Sequence, residues 1–155
     1  MRPRFVLFAL LLIAAPALRG QTPAPLRVNV LRQLEFGSLI GGVDATMGPA
    51  DGKATAMFEI IGPAGATVQL SFTLPGQIVG EGGGRVGVSF GPQSAAYSIN
   101  ESSADNIPFD PRAPFSLKLP QSGRVVVMIG GMARPSRQLI SGRYSGNLSL
   151  SVTTQ

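Results

Sequence analysis

Residues 66–74, ATVQLSFTL, alternate without a break. Ala66, Val68, Leu70, Phe72 and Leu74 share one parity, and Thr67, Gln69, Ser71 and Thr73 the other. Successive side chains of an extended strand point to opposite faces, so this rhythm describes one apolar face and one wet face. GRYSGNLSLSV, residues 142–152, does the same, with Gly142, Tyr144, Gly146, Leu148, Leu150 and Val152 against Arg143, Ser145, Asn147, Ser149 and Ser151. Shorter alternations run through Leu26, Val28 and Val30, through Val86, Val88 and Phe90, and through Phe115, Leu117 and Leu119. RVVVMIGGM, residues 124–132, is a continuous apolar run and reads as a central strand. After residue 20 no segment keeps the apolar spacing of three and four that an amphipathic helix needs. The chain is therefore expected to be all-β, an antiparallel β-sandwich of about seven to eight strands, with a small barrel as the alternative that periodicity leaves open.

Turn residues divide these runs. There are 20 glycines and 13 prolines without a collagen period, enough to punctuate many short strands. Gly62-Pro63-Ala64-Gly65 separates residues 54–61 from 66–74 and predicts a hairpin. The phase shift at Leu31 predicts a bulge or a change of sheet. Residues 44–53 read as turns and residues 100–114 as a polar, proline-bearing loop, with a short strand at Tyr97 and Ile99. Gly82, Gly84 and Gly87 form a literal G-x-G-x-x-G. The alternation that follows leads into a strand and not a helix, so the segment reads as a glycine-rich hairpin turn and not a dinucleotide site.

The start of the chain has a different character. Arg2 and Arg4 precede the apolar run Phe5–Ala17, with small residues at Ala15, Ala17 and Gly20. This reads as a secretory signal peptide over 1–20, cleaved before Gln21 or before Leu18. The run is too short for a span, which needs about 20 apolar residues. A short extended lead, 21–25, then opens a single domain over 26–155. Arg2, Arg4 and Arg19 leave with the signal, so 13 basic residues become ten against eight acidic ones, a net charge of +2. The remaining cations are scattered and form no nucleic-acid footprint. With no cysteine, the domain must hold by packing and backbone pairing.

Few kinds of chemistry remain. The chain has no histidine and no cysteine, which removes histidine triads, thiol nucleophiles and ordinary zinc sites. No catalytic, cofactor or metal residues are assigned. The eight acids, Glu35, Asp44, Asp51, Glu59, Glu81, Glu101, Asp105 and Asp110, are joined by no motif, so a carboxylate pair of the glycosidase kind has no support. Asp105 and Asp110 in DNIPFD lack the spacing of a helix–loop–helix calcium site and read as a solvated loop. The triplets at Asn100 and Asn147 match the N-glycosylation pattern, but Asn147 falls inside an expected strand. Eight Phe, two Tyr and no Trp favour core packing over sugar stacking.

Three stretches taken together carry a family resemblance. They are LEFGSLIGG (34–42), AMFEIIGPAGATVQLSFTLP (56–75) and VMIGGMARPSRQLISGRYSGNLSLSV (127–152). In this order, behind a signal peptide, they resemble the bacterial secreted domain-of-unknown-function 4402 family, itself similar in pattern to fimbrial major subunits. The resemblance implies an immunoglobulin-like sandwich and an exported compartment, and it carries over no established enzyme activity; the chain is expected to be non-enzymatic and without a cofactor. Its marks fall on Leu34, Phe36 and Gly37, on Phe58, Gly62 and Gly65, on Gly130 and Gly131, and on Gly142, Tyr144 and Gly146. Leu148, Leu150 and Val152 complete the terminal strand. Met132-Ala133-Arg134-Pro135 departs from the family's pattern after the double glycine, and Pro135 should curtail pairing there.

Two roles are consistent with these features. The first is an exported structural subunit of the periplasm, cell surface or extracellular space that assembles by strand addition, with itself, related subunits and a periplasmic chaperone as partners. The second is a stand-alone binding module using loops such as 44–53 and 100–114. In either case the last strand is expected to be the domain's own closing strand, and any donor strand would come from the N-terminal segment.

Overall fold

The computed structural model describes residues 25–99 and 106–155. The signal peptide, most of the lead, the triplet at Asn100 and Asp105 lie outside the described residues. Among those described, the molecule is all-β, with thirteen strands and one 3₁₀ turn at Gly52–Ala54. Every paired strand is antiparallel to its neighbour.

Three sheets result. The first has the order β1 (Arg27–Arg32), β3 (Ala56–Ile61), β10 (Arg124–Ile129), β7 (Ala95–Ser98), β8 (Ile107–Phe109). The second runs β12 (Tyr144–Ser145), β5 (Gln77–Gly80), β6 (Arg85–Ser89), β11 (Gly131–Arg134), β2 (Ala45–Met47). The third is β13 (Ser149–Thr154), β4 (Thr67–Thr73), β9 (Phe115–Lys118).

Phe58 and Ile60 of β3 and Val125, Val127 and Ile129 of β10 pack with Val68 and Leu70 of β4 and Leu117 of β9. The first and third sheets thus share the larger core in a sandwich-like arrangement. Aromatic rings bridge it, with Phe109 stacked on Phe115 at 4.5 Å and Phe58 edge-on to Phe72 at 6.5 Å. A smaller core of Ile78, Val86, Val88 and Ala133 belongs to the second sheet.

The hairpin expected at 54–74 does not form. β3 pairs with β1 and β10, whereas β4 pairs with β13 and β9. Gly62–Gly65 is instead an arch that carries the chain from one sheet to the other. A hairpin would turn both apolar faces the same way and leave them to be covered by something else; the arch lets them cover each other. The neighbouring β9–β10 connection latches it, since Gly62 N donates to Gly123 O (2.8 Å) and Gly65 N to Leu119 O (3.1 Å). Periodicity reports which face is apolar but not whether the next strand lies beside it or opposite it.

The strand count also exceeds the seven or eight expected. The run 124–132 breaks at Gly130 into β10 and β11, which lie in different sheets. The stretch 142–152 breaks likewise into β12 and β13. β2, β5 and β8 occupy segments too short or too rich in turn residues for alternation to show. Other features match expectation. The register of β1 on β3 shifts between Val30 and Arg32, a bulge at Leu31. The glycine-rich turn joins β5 to β6, and β11 stops at Arg134, before Pro135.

Candidate functional site: open strand edges and glycine crossovers

The residues marked by the sequence do not converge on one cleft. They fall into a structural group that joins the two cores and an edge group at the borders of the sheets.

The structural group begins after β1. Leu34 is half-buried on the larger core and Phe36 on the smaller one, with Gly37 turning at a φ of 64°. Gly130 and Gly131 lie where the chain leaves the first sheet for the second. Gly130 N donates to Ser94 O (2.8 Å), and the Met47–Gly48 peptide passes directly against its Cα. A Cβ there would lie 2.7 Å from the Gly48 carbonyl carbon. At Gly131 a Cβ would meet the Phe90 ring at 2.9 Å and Phe36 Cζ at 3.5 Å, so Phe36 and the double glycine are brought together. Tyr144 packs against the glycine-rich turn, where a Cβ on Gly80 would be 3.0 Å from its Cε1, and its hydroxyl donates to Ile140 O. Gly142 has φ +150°, and Gly146 packs its backbone on Ile78, where a Cβ would lie 2.8 Å from Cγ2. This bend moves the chain from the second sheet to the third.

The edge group is β1 and β13, each the terminal strand of its sheet. Val28 stands opposite Ile60, and Val30 opposite Phe58. Directly paired residues share a face, so these valines lie on the core side. Yet Val28 is 37% and Val30 63% exposed, while Ile60 and Phe58 are buried. Cover of the core side is therefore incomplete along β1. In β13, Leu150 and Val152, with Leu148 before them, are half-buried on the larger core and pair through Phe72 and Leu70 of β4. The closing strand expected to be buried on one face is therefore a half-covered border. Among the described residues, no strand pairs with the outer edge of β1 or of β13.

Alternation could not reveal the polar clasp on β1. Asn29 Nδ2 donates to Glu59 Oε2 (2.9 Å), and Arg124 Nε donates to Glu59 Oε1. The clasp runs across β1, β3 and β10. The Asn29 hydrogen bond first, and that from Arg124 second, hold the Glu59 carboxyl below its ordinary value. Each residue sits on the wet parity of its own strand, but only the register brings them together.

The loops considered for ligand binding behave differently from one another. Asp110 accepts from its neighbour Arg112 at three points, from N (3.0 Å), Nε (2.8 Å) and Nη2 (2.7 Å). The Arg112 side chain first, then its backbone N–H, lowers Asp110 from 3.8 to about 2. That carboxylate is occupied as an ion pair. Residues 44–53 contribute β2 and part of a shallow cavity of about 520 Å³ on the outer face of the second sheet. Its floor includes Thr46, Ser89 and Met132, and its walls are Met47–Pro49 and Phe90–Ser94. Residues 106–114 take no part in it.

Among the described residues, no cluster of three or more acidic side chains could hold a metal ion, and no helix is long and apolar enough to cross a membrane. In comparisons with known families and curated proteins, no family model matched the chain and no curated protein matched it.

Proposed function

We propose that this chain is a non-enzymatic, exported structural protein of the bacterial envelope, an immunoglobulin-like sandwich that joins copies of itself or related subunits by strand addition. The domain-of-unknown-function 4402 resemblance supports the sandwich fold and the exported compartment of this reading. The observation that carries it is the state of β1, a six-residue strand whose core-side Val30 is largely exposed and Val28 partly so, and whose outer edge pairs with no strand among the described residues. A strand that buries so little of itself gains little from staying on its own domain. Its backbone hydrogen bonds can be made equally well with β3 of another copy. A periplasmic chaperone would cover such an edge before assembly.

The test uses the protein purified after export, with mass measured by light scattering before and after mild heating. The expected outcome is multimers that dissociate on heating, and monomers when Val28 and Val30 are both replaced by lysine. A wild-type protein that stays monomeric at high concentration would refute strand addition.

The second reading, a stand-alone binding module, draws on the cavity beside Met132. A thermal shift with a sugar or calcium, together with a monomeric profile, would favour it.

A further inference from the structure

Three loops close one end of the second sheet, and they touch one another. Gly42 N donates to both Pro135 O and Ser136 O (3.1 Å each), joining loop 40–43 to loop 135–143. Glu81 N donates to Arg143 O (3.3 Å), joining loop 135–143 to the glycine-rich turn. The first two loops repeat one device. Leu39 and Leu139 turn inward onto the smaller core, and the next residue of each, Ile40 and Ile140, turns outward. Ile40 is 66% exposed, Val43 54% and Ile140 51%. Ile140 rests its Cβ and Cγ2 on Gly84 and Gly82 of the glycine-rich turn, and the rest of its side chain is exposed. Isolated exposed aliphatics are ordinary, but these three are gathered on loops that hydrogen-bond to one another at one end of the sheet.

The charges around these loops have one dominant sign. Arg137 lies along Gly42, Arg143 follows Ile140 by three residues, and Arg85 leaves the glycine-rich turn. All three are exposed, and among the described residues their side chains make no hydrogen bond or ion pair. Arg134 is loosely paired with Asp44 at 3.8 Å, and Glu81 is the other acid of these loops. Four arginines thus face two carboxylates.

We infer that this loop end is a docking surface for an anionic lipid bilayer, with Ile40, Val43 and Ile140 entering the headgroup boundary and Arg137, Arg143 and Arg85 meeting lipid phosphates. The chemistry favours a bilayer over a folded partner. Exposed aliphatics beside exposed arginines match an apolar interior under anionic headgroups, and a planar, deformable interface accepts them without a matching pocket. Aliphatic insertion and cationic attraction act together in peripheral binding, and each is weak alone. The surface is separate from the β1 edge, so docking does not depend on assembly.

The test is co-sedimentation of the protein recovered after export with vesicles of phosphatidylcholine alone or mixed with phosphatidylglycerol. Binding to the mixed vesicles at low salt is expected, with about tenfold less to phosphatidylcholine alone and a steep loss as salt shortens the screening length. The double variant Ile40→Ser with Val43→Ser leaves charge unchanged and, because both side chains are more than half exposed, should keep the wild-type melting temperature. Its bound fraction should fall about fivefold or more. Arg137→Glu with Arg143→Glu should abolish the preference for anionic vesicles. A wild-type protein that remains in the supernatant with anionic vesicles at low salt overturns the inference, as does a folded serine variant that binds like wild type. Should that variant fail to fold, the salt and lipid dependence of the unmodified protein still decides the matter.

Discussion

Replacing Gly130 with alanine places a methyl group where the Met47–Gly48 peptide already lies. The new Cβ would be 2.7 Å from the Gly48 carbonyl carbon and 2.8 Å from that of Met47, against 3.4–4 Å for ordinary contact. It would also overlap the Met47 carbonyl oxygen. No side chain can rotate away, because every obstructing atom is backbone. Relief requires that β2, which is paired with β11 at three positions, withdraw from its neighbour. Overpacking alone costs about 1–3 kcal/mol. Each ladder hydrogen bond weakened adds about 1 kcal/mol, so a total of about 3 kcal/mol is expected. That is a large part of a typical stability of about 5–15 kcal/mol. In urea, with a slope of about 2 kcal/mol per M, the unfolding midpoint should fall by about 1.5 M.

Two companion variants make the reasoning refutable. At Gly131 the obstructing atom belongs to the Phe90 ring, which can shift, so alanine there should cost about 1–2 kcal/mol. At Gly87, in β6, no atom lies within 4 Å, and alanine should be neutral or stabilising by up to about 1 kcal/mol. A Gly130→Ala midpoint indistinguishable from wild type would refute the close approach. Equal losses at Gly130 and Gly87 would show that glycine flexibility, not crowding, sets the cost.

Tyr144 and the glycine-rich turn should prove coupled. Gly84→Ala should cost about 2 kcal/mol in the wild type, because its Cβ would meet the Tyr144 hydroxyl, but markedly less in a Tyr144→Ala background. Strict additivity in the urea-derived double-mutant cycle would exclude the contact. Acid should weaken the fold through Asp110 and Glu59. Both carboxyls are lowered on folding, so their stabilisation is complete above the unfolded values and is lost as pH falls through the folded ones. For Asp110 that window runs from 3.8 to about 2. Asp110→Asn should therefore flatten the loss of thermal stability on acidification, and an unchanged slope would show that the Arg112 pair contributes nothing.

Much of the architecture was legible because alternation is a local property. Val68 and Leu70 are fully buried and Thr67 is exposed, as their parity requires, and the bulge at Leu31 appears where the phase slips. Two glycines flanking Tyr144 in an alternating run mark a bend or a close backbone approach, and Gly146 packs against Ile78 in that way. What parity could not convey is coverage. Leu150 and Val152 lie on the apolar parity of β13 but are half-buried, because their strand is a border. Val28 and Val30 lie on the apolar parity of β1, yet Val30 is largely bare and Val28 only partly covered, because their strand is a border. The Asn29–Glu59–Arg124 clasp left no trace in the sequence, since its members are separated by 30 and 65 positions and meet only through register.

By itself, then, the sequence determined the kind of element. Period two, abundant turn residues and no cysteine leave β-layers held by packing as the available solution. Tertiary structure alone decided the partners of those elements. It made the Gly62–Gly65 connection an arch, split the double-glycine run between two sheets, and left β1 and β13 at open borders. The physical reason is range. A side chain's face is set by its neighbours along the chain, whereas pairing, coverage and exposure depend on backbone contacts between residues far apart in sequence, and no local pattern records them.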